Sequence, residues 1–376
     1  MNFPSQTYSV ALRRYIVVLL AATVFLIWWG AATTTEGAGM AFADWPLSHG
    51  SINPEGWLKY LAPFLEHTHR LFANLVGFLT LGLLIWTYGS TSKKRGLEVL
   101  GIFLLLTLIF GIFIASGRER FSAERKQMLL LIGVISSLIP IGWLIVSWFR
   151  RGWSLIQKIA GLAFLMVTAQ AIFGGLRVTE ISDSWAVFHG CFAQAFFCVL
   201  ILIAIVASPN WEGIRPVVAH RSRSALMSFA TISVSVVVTQ LALGALMRHH
   251  HRFGLADSGI VKTGGELVPA FDHPIITIMF FHKVTALAIF LLAFVFFGWL
   301  VRQKNMDVRF VRFQSIVAGL LVAQVTLGVL VIVTEKSFWI TNFHVLNGLA
   351  ILACAFSILV WAIRSKNEVL IAADSR

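Results

Sequence analysis

Ten apolar runs alternate with short polar or basic segments along the chain, at roughly 15–33, 64–88, 97–116, 128–149, 156–176, 185–207, 225–247, 274–300, 311–334 and 342–363. Each is near the length that crosses the hydrocarbon core of a bilayer as a helix. In lipid a span must satisfy its own backbone polar groups, so each run is expected to be helical. The fold class this predicts is an all-α polytopic membrane protein with about ten transmembrane helices. The first run follows Arg13 and Arg14 and is not trailed by an A-x-A cleavage pattern, so it reads as a retained span rather than a signal peptide. Cys191, Cys198 and Cys354 lie inside apolar runs, where a thiol acts as a small hydrophobe.

Composition agrees: 58% of the 376 residues are hydrophobic and 12% are charged. The formal charge of +13 does not point to nucleic acid, because the cations sit in clusters between apolar runs. Arg13 and Arg14; Lys93, Lys94 and Arg95; Arg150, Arg151 and Lys158; Arg215, Arg221 and Arg223; Arg302, Lys304, Arg309 and Arg312; and Arg364 and Lys366 all fall on one side. The positive-inside rule makes that side, with both termini, cytoplasmic. The opposite loops, including Thr33 to Pro63 and the stretch at Glu335 and Lys336, are poor in cations. One connection departs from the rule. Arg118, Arg120, Arg125 and Lys126, offset by Glu119 and Glu124, fall outside if spans three and four both cross. A hairpin that does not fully cross is the other option, and neither changes the parity of later spans.

The runs repeat internally. Phe188-His189, Phe281-His282 and Phe343-His344 each open a span, and His69 opens another. All four of these spans run from outside to inside, which puts the imidazoles at similar depth, within about two turns of the outer surface. A second element, Gln170-x-x-x-Gly174, Gln240-x-x-x-Gly244 and Gln324-x-x-x-Gly328, closes inside-to-outside spans. Its favoured reading is close helix packing at Gly with Gln bonding across helices. The pattern divides the chain into 1–210 and 211–376, two pseudo-symmetric four-helix bundles, with an extra helical hairpin at about 97–149 inserted in the first.

Imidazoles facing each other from different helices at matched depth are an axial ligand set for haem iron. Two such residues in each half predict two haem sites. A single intramembrane His is more often a packing residue, but packing gives no reason for four at one depth. Glu66 lies three residues before His69 on a shared helical face. A carboxylate at that depth is costly and so is a functional candidate. The structural alternative is a partner for Arg70 or a neighbouring His. Arg70 and Lys283, beside two of the His residues, are placed to meet anionic propionates or lipid headgroups. His249-His250-His251, flanked by Arg248 and Arg252, reads as a solvated loop rather than a metal tract. His49, His220 and His273 carry no assigned role.

Taken together, Glu66-x-x-His69-Arg70, the loop from Gly39 to Gly50 with Asp44-Trp45-Pro46, Gly174-Gly175-Leu176-Arg177-Val178 and Gly244-Ala245-Leu246-Met247-Arg248-His249 resemble haem A synthase. The resemblance covers most of the chain outside spans three and four. It implies two similar four-helix bundles and the oxidation of a ring methyl of haem O to the formyl of haem A. Two successive hydroxylations give a gem-diol that loses water to the formyl. It further implies that His282 and His344 ligate a resident haem b, that His69 and His189 hold the substrate haem, and that Glu66 is the catalytic carboxylate. A haem O farnesyltransferase would supply the substrate and a terminal oxidase would receive the product. The expected setting is the bacterial plasma membrane, with the haem sites toward the outer face. The chain departs from the family's pattern at Ala43 and Ser48, where some members have a cysteine pair, and in its inserted spans.

Two other classes compete. A non-catalytic bis-His diheme b-type cytochrome, exchanging electrons with quinone, accounts for the four His but not for Glu66 or the Asp-Trp-Pro loop. A transporter fits the repeats, but the His residues lie near one face rather than the midplane.

Overall fold

The computed structural model describes residues 8–45, 47–90, 93–116, 122–149, 153–213, 215–250, 257–303 and 306–367. The long helices are α1 (Val10–Thr35), α2 (Leu61–Gly89), α3 (Lys93–Ser116), α4 (Ala123–Phe149), α5 (Leu155–Thr179), α6 (Asp183–Val206), α8 (His220–His250), α9 (Pro274–Arg302), α10 (Val308–Val333) and α11 (Phe338–Arg364). A short α7 (Pro209–Glu212) and two two-residue strands, β1 (Val217–Val218) and β2 (Lys366–Asn367), complete the elements. The protein is thus an all-α polytopic membrane protein. Helices run past the apolar runs because polar residues continue them outside lipid. At the start of α1, for instance, the Ser9 hydroxyl accepts from the Leu12 amide at 3.1 Å.

Eight helices, α1, α2, α5, α6 and α8 to α11, are apolar and long enough to cross a membrane. At 1.5 Å per residue α3 and α4 reach about 36 and 40 Å, also enough to span. They pack on each other, and α3 packs on α2. The turn expected to hold Arg118, Glu119 and Arg120 lies outside the described residues, as do Pro46, Arg150, Arg151, His251, Arg252 and Lys304.

Helix neighbours close two rings: α1–α2–α5–α6 in the first half and α8–α9–α10–α11 in the second. Each ring has its own core. Leu19, Leu83, Ala160 and Leu200 are fully buried in the first, and Leu226, Phe296, Phe310 and Leu352 in the second. The rings meet where α1 packs on α11, and α6 on α8 and α11. Phe197, Ile201 and Leu349 fill that seam against Leu20, Val24 and Ile27. On the other side of α9, Leu287, Leu291 and Val295, spaced by four, are each more than half exposed. Such a stripe on a membrane helix faces lipid.

The end of the molecule away from the four histidines is locked by arginines. Arg364 donates to the Trp211 carbonyl at 2.6 Å and lies 4.5 Å over the Trp211 ring. Arg309 lies 4.7 Å over Trp361, and β1 pairs with β2 in parallel beside them. The segment between the rings is thereby tied to the end of α11, which leaves the opposite end to carry the site.

Candidate functional site

The four histidines stand on opposed helices. His69 on α2 and His189 on α6 face each other across the first ring, with ring centroids 6.5 Å apart and planes at 75°. His282 on α9 and His344 on α11 occupy the matching positions in the second. The other two helices of each ring supply glycines. A Cβ built at Gly30 of α1 would lie 2.8 Å from His69 Cε1, and one at Gly174 of α5 would lie 3.1 Å from His189 Cε1. In the second ring, Gly244 of α8 and Gly328 of α10 stand in the same relation to His282 and His344, each at 3.3 Å. Any larger residue would push the imidazole away, so each glycine is a seat.

The glutamines of the repeated element act on these same histidines. Gln240 and Gln324 each reach the Nε2 of His282 and His344 at 3.2 Å. In the first ring Gln170 donates instead to the His189 carbonyl at 2.9 Å, and Leu26 holds the corresponding place before Gly30. The packing reading of Gln-x-x-x-Gly therefore stands, with the bonded partner being a candidate ligand in every case. Asn347 steadies the arrangement by donating to Gln324 Oε1 at 2.7 Å.

The stretch Glu66 to Arg70 enters α2 within its first three turns, just after Pro63, whose missing N–H costs little at a helix start. Glu66 is only 4% exposed. Its Oε2 accepts from the Phe42 amide at 3.1 Å, and its Oε1 pairs with Arg70. Arg70 also donates to the carbonyls of Asp44 at 2.7 Å and Leu47 at 2.6 Å, and to that of Phe42 at 3.3 Å. His67 points away from His69, as the spacing predicts, and meets Ser48 Oγ through Nδ1 at 3.1 Å. Ser48 thus fills one absent cysteine position with a hydrogen bond to α2. Asp44 accepts from the amides of His49 and Gly50 at 2.8 and 2.7 Å. Trp45 packs against Gly175, where a Cβ would come within 2.7 Å of its ring. The Asp-Trp-Pro loop is in this way clasped over the first ring.

Lys283 does the same for the second ring. Its Nζ donates to the carbonyls of Gly259 and Lys262, both at 2.7 Å, and to Thr263 Oγ1 at 3.1 Å, with Asp257 at 3.4 Å. Both loops carry a small antiparallel bridge, Ser48 with Ser51 and Thr263 with Glu266. In this structure Arg70 bonds loop carbonyls and Glu66, and Lys283 bonds loop oxygens including the Asp257 carboxylate. For Glu66, the pairing with Arg70 that the sequence left open is present. His49 meets Phe42 edge-on, with ring centroids 5.0 Å apart, and His273 precedes α9 without capping it through its side chain.

The donor chemistry fits a haem. The Nδ1 of His69, His189, His282 and His344 is in each case buried without a hydrogen-bond partner. Orphaned buried polar atoms are rare, and imidazole nitrogens opposed across a ring of helices are suited to iron on both faces of a macrocycle. Among the described residues no cluster of three or more His, Cys, Asp or Glu suited to a bare metal ion occurs.

The sequence profile of the cytochrome oxidase assembly protein family COX15-CtaA matches residues 131–356. The chain belongs to this family. The matched segment holds His189, His282 and His344, while Glu66 and His69 precede it. Among curated relatives, the heme A synthase of Halalkalibacterium halodurans is 25% identical over 272 residues, covering 65% of this chain and 84% of the relative. The heme A synthase of Alkalihalophilus pseudofirmus is 26% identical over 31% of this chain and 38% of the relative. That of Exiguobacterium sibiricum is 22% identical over 38% of this chain and 50% of the relative.

Two features escaped the sequence reading. Gly30 has no Gln before it, so nothing in the repeat marked it as a seat. Arg248 stands in the sequence beside a histidine tract and in the Gly244 to His249 motif, neither of which signals that its Nη2 crosses to α1, where it donates to the Ala31 carbonyl and to Thr35 Oγ1 at 2.6 Å.

Proposed function

We propose that this family member is a haem A synthase, an integral membrane oxidoreductase that converts a ring methyl of haem O to the formyl of haem A. The observation that carries the reading is that two rings of like design differ at one decisive position. Three residues before its first histidine, the first ring has the buried Glu66 and the second has the buried Met279. A diheme electron carrier needs no carboxylate in either.

In this reading His282 and His344 hold a resident haem b, and His69 and His189 hold the substrate macrocycle by its iron. When bound, the haem supplies the redox-active centre that oxidation of an unactivated methyl requires. The chain's own groups position and stabilise. The Phe42 amide and Arg70 fix the orientation of the Glu66 carboxylate. Its Oε2, whose bonded partner is a neutral amide, keeps a lone pair for the proton released at the methyl carbon. The same carboxylate, in a site shielded from water by the clasped loop, stabilises positive charge developing there. Glu66 is thus the catalytic residue, and Arg70 a positioning residue acting through it.

The histidine end faces outward and both termini face the cytoplasm of a bacterial plasma membrane, consistent with the arginine-rich opposite end. Haem O arrives from a membrane-bound farnesyltransferase and haem A leaves for a terminal oxidase, each through transient contact within the lipid. The test is chromatographic identification of the haems extracted from protein purified from a host that makes haem O. Haem A or its hydroxylated precursor is the expected result. Only b-type haem would replace this reading with the diheme cytochrome.

A further inference from the structure

We propose that Arg177 and Arg248 form a carboxylate-binding pair at the seam of the two rings, taking the propionates of the haem held by His69 and His189; this rests on the haem A synthase reading above. The two guanidinium groups approach the same end of α1 from opposite halves. Arg177 comes from α5, and a Cβ at Gly39 would overlap its guanidinium. Arg248 comes from α8 and bonds Ala31 and Thr35 of α1. Arg177 lines a cleft with Thr34, Gly37, Gly39, Asp183 and His249, the residue next to Arg248.

Three features favour an anion there. First, Arg248 meets only neutral oxygens and no carboxylate among the described residues. A charge within a membrane helix is costly and is retained where it serves a ligand or partner. Second, each arginine sits about one helical turn beyond a histidine seat on its own helix, Arg177 after Gly174 and Arg248 after Gly244. That is the side toward which the acidic edge of a macrocycle held by its iron would point if it faces water. Third, the cations beside the histidines, Arg70 and Lys283, are already occupied by loop carbonyls. Lys336, just beyond α10, adds to the positive field: burial first, and then the Arg248 charge, push its ammonium below the ordinary lysine range. Asp183 sets a limit on that field from the cleft wall. The planar fork of each guanidinium suits bidentate capture of a carboxylate. Because one arginine comes from each ring, the first ring's site is incomplete without the second.

The test pairs a change in the protein with a change in the ligand. Protein purified from a host that makes no haem O is titrated with iron protoporphyrin IX and, separately, with its dimethyl ester. Binding is followed as a difference spectrum in the Soret region, so that pigment already present cancels, and His69→Ala identifies the part due to the first ring. The wild type should prefer the free acid by about tenfold or more. Arg248→Gln and Arg177→Gln should each lose most of that preference while ester binding is unchanged, and Arg248→Lys should keep part of it. Equal weakening of both ligands in the Gln variants, or an undiminished preference, would overturn the carboxylate pair and leave the haem reading intact. A wild type that binds neither ligand would overturn the haem reading, and the pair with it.

Discussion

The two rings share a plan and diverge where chemistry would have to differ. Both oppose two histidines on facing helices, seat each on a glycine, and tie a loop over the top with the cation that follows the first histidine. In the second ring both imidazoles are gripped by a glutamine amide and the neighbouring position is Met279. In the first ring the imidazoles have no such grip, the seat at Gly30 is tighter, and Glu66 replaces the methionine. Under the proposed function, the comparison separates holding a macrocycle from transforming it: the scaffold of seats and opposed histidines would serve the first task, and one oriented carboxylate would add the second.

The largest effect should follow removal of the one difference that bears on reaction. Glu66→Gln, near-isosteric but with one acceptor oxygen in place of two, so that it keeps the bond from Phe42 or that from Arg70 and not both, should lower haem A formation by about a hundredfold or more, with pigment content unchanged in extracts. Haem A at wild-type level would strip Glu66 of its role.

Next comes the tightness of the seats. Gly30→Ala should displace His69, because the added methyl would stand 2.8 Å from Cε1, whereas Gly328→Ala, at 3.3 Å from His344, needs only a small shift. Overpacking of this kind costs about 1–3 kcal/mol, so titration with haem should show tenfold or greater weakening in the first ring for Gly30→Ala and little change for Gly328→Ala. Equal behaviour of the two variants would remove the distinction.

Smaller again is the loss of a glutamine bond. Gln240→Leu or Gln324→Leu should shift the bound-haem spectrum of the second ring and change its haem affinity by about fivefold, the worth of a single hydrogen bond near 1 kcal/mol. Gln170→Leu, which bonds a carbonyl rather than a ring, should leave the bound-haem spectrum of the first ring unaltered. A spectral shift for Gln170→Leu as large as for the other two would show that the rings are gripped alike.

The smallest effect lies at the opposite end, where Asp307 caps α10. Its carboxyl is held below the usual range mainly by the hydrogen bond from Arg309, against some desolvation. A depressed carboxylate stabilises the fold above its unfolded pKa, and that contribution disappears as pH falls through the folded value. Asp307→Asn should therefore cost about 0.5 kcal/mol near neutral pH and nothing at a pH where the wild-type carboxyl is protonated, as read by thermal unfolding. An equal cost at both would assign the effect to the cap geometry alone.

Much of this architecture was legible in the sequence because its signals are periodic and local. Apolar runs of bilayer length marked the long helices, and Phe-His openings at equivalent places marked His189, His282 and His344. Other features left no such trace. Arg70 and Lys283 bond backbone carbonyls, which every residue has, so no pattern distinguishes a loop clasp from an anion anchor. Gly30 matters only because α1 packs on α2 opposite His69. Arg248 finds Ala31 from 217 residues away, across a seam that exists only once both rings have formed.

The central claim, that the first ring transforms a haem and the second retains one, is tested most directly by comparing His69→Ala with His282→Ala in a host that makes haem O, with extracted haems separated by chromatography. The account predicts that His69→Ala yields b-type haem without haem A, and that His282→Ala loses the b-type haem. Haem A at the wild-type level from His69→Ala, with the b-type haem lost instead, would reverse the assignment of the two rings and contradict the account.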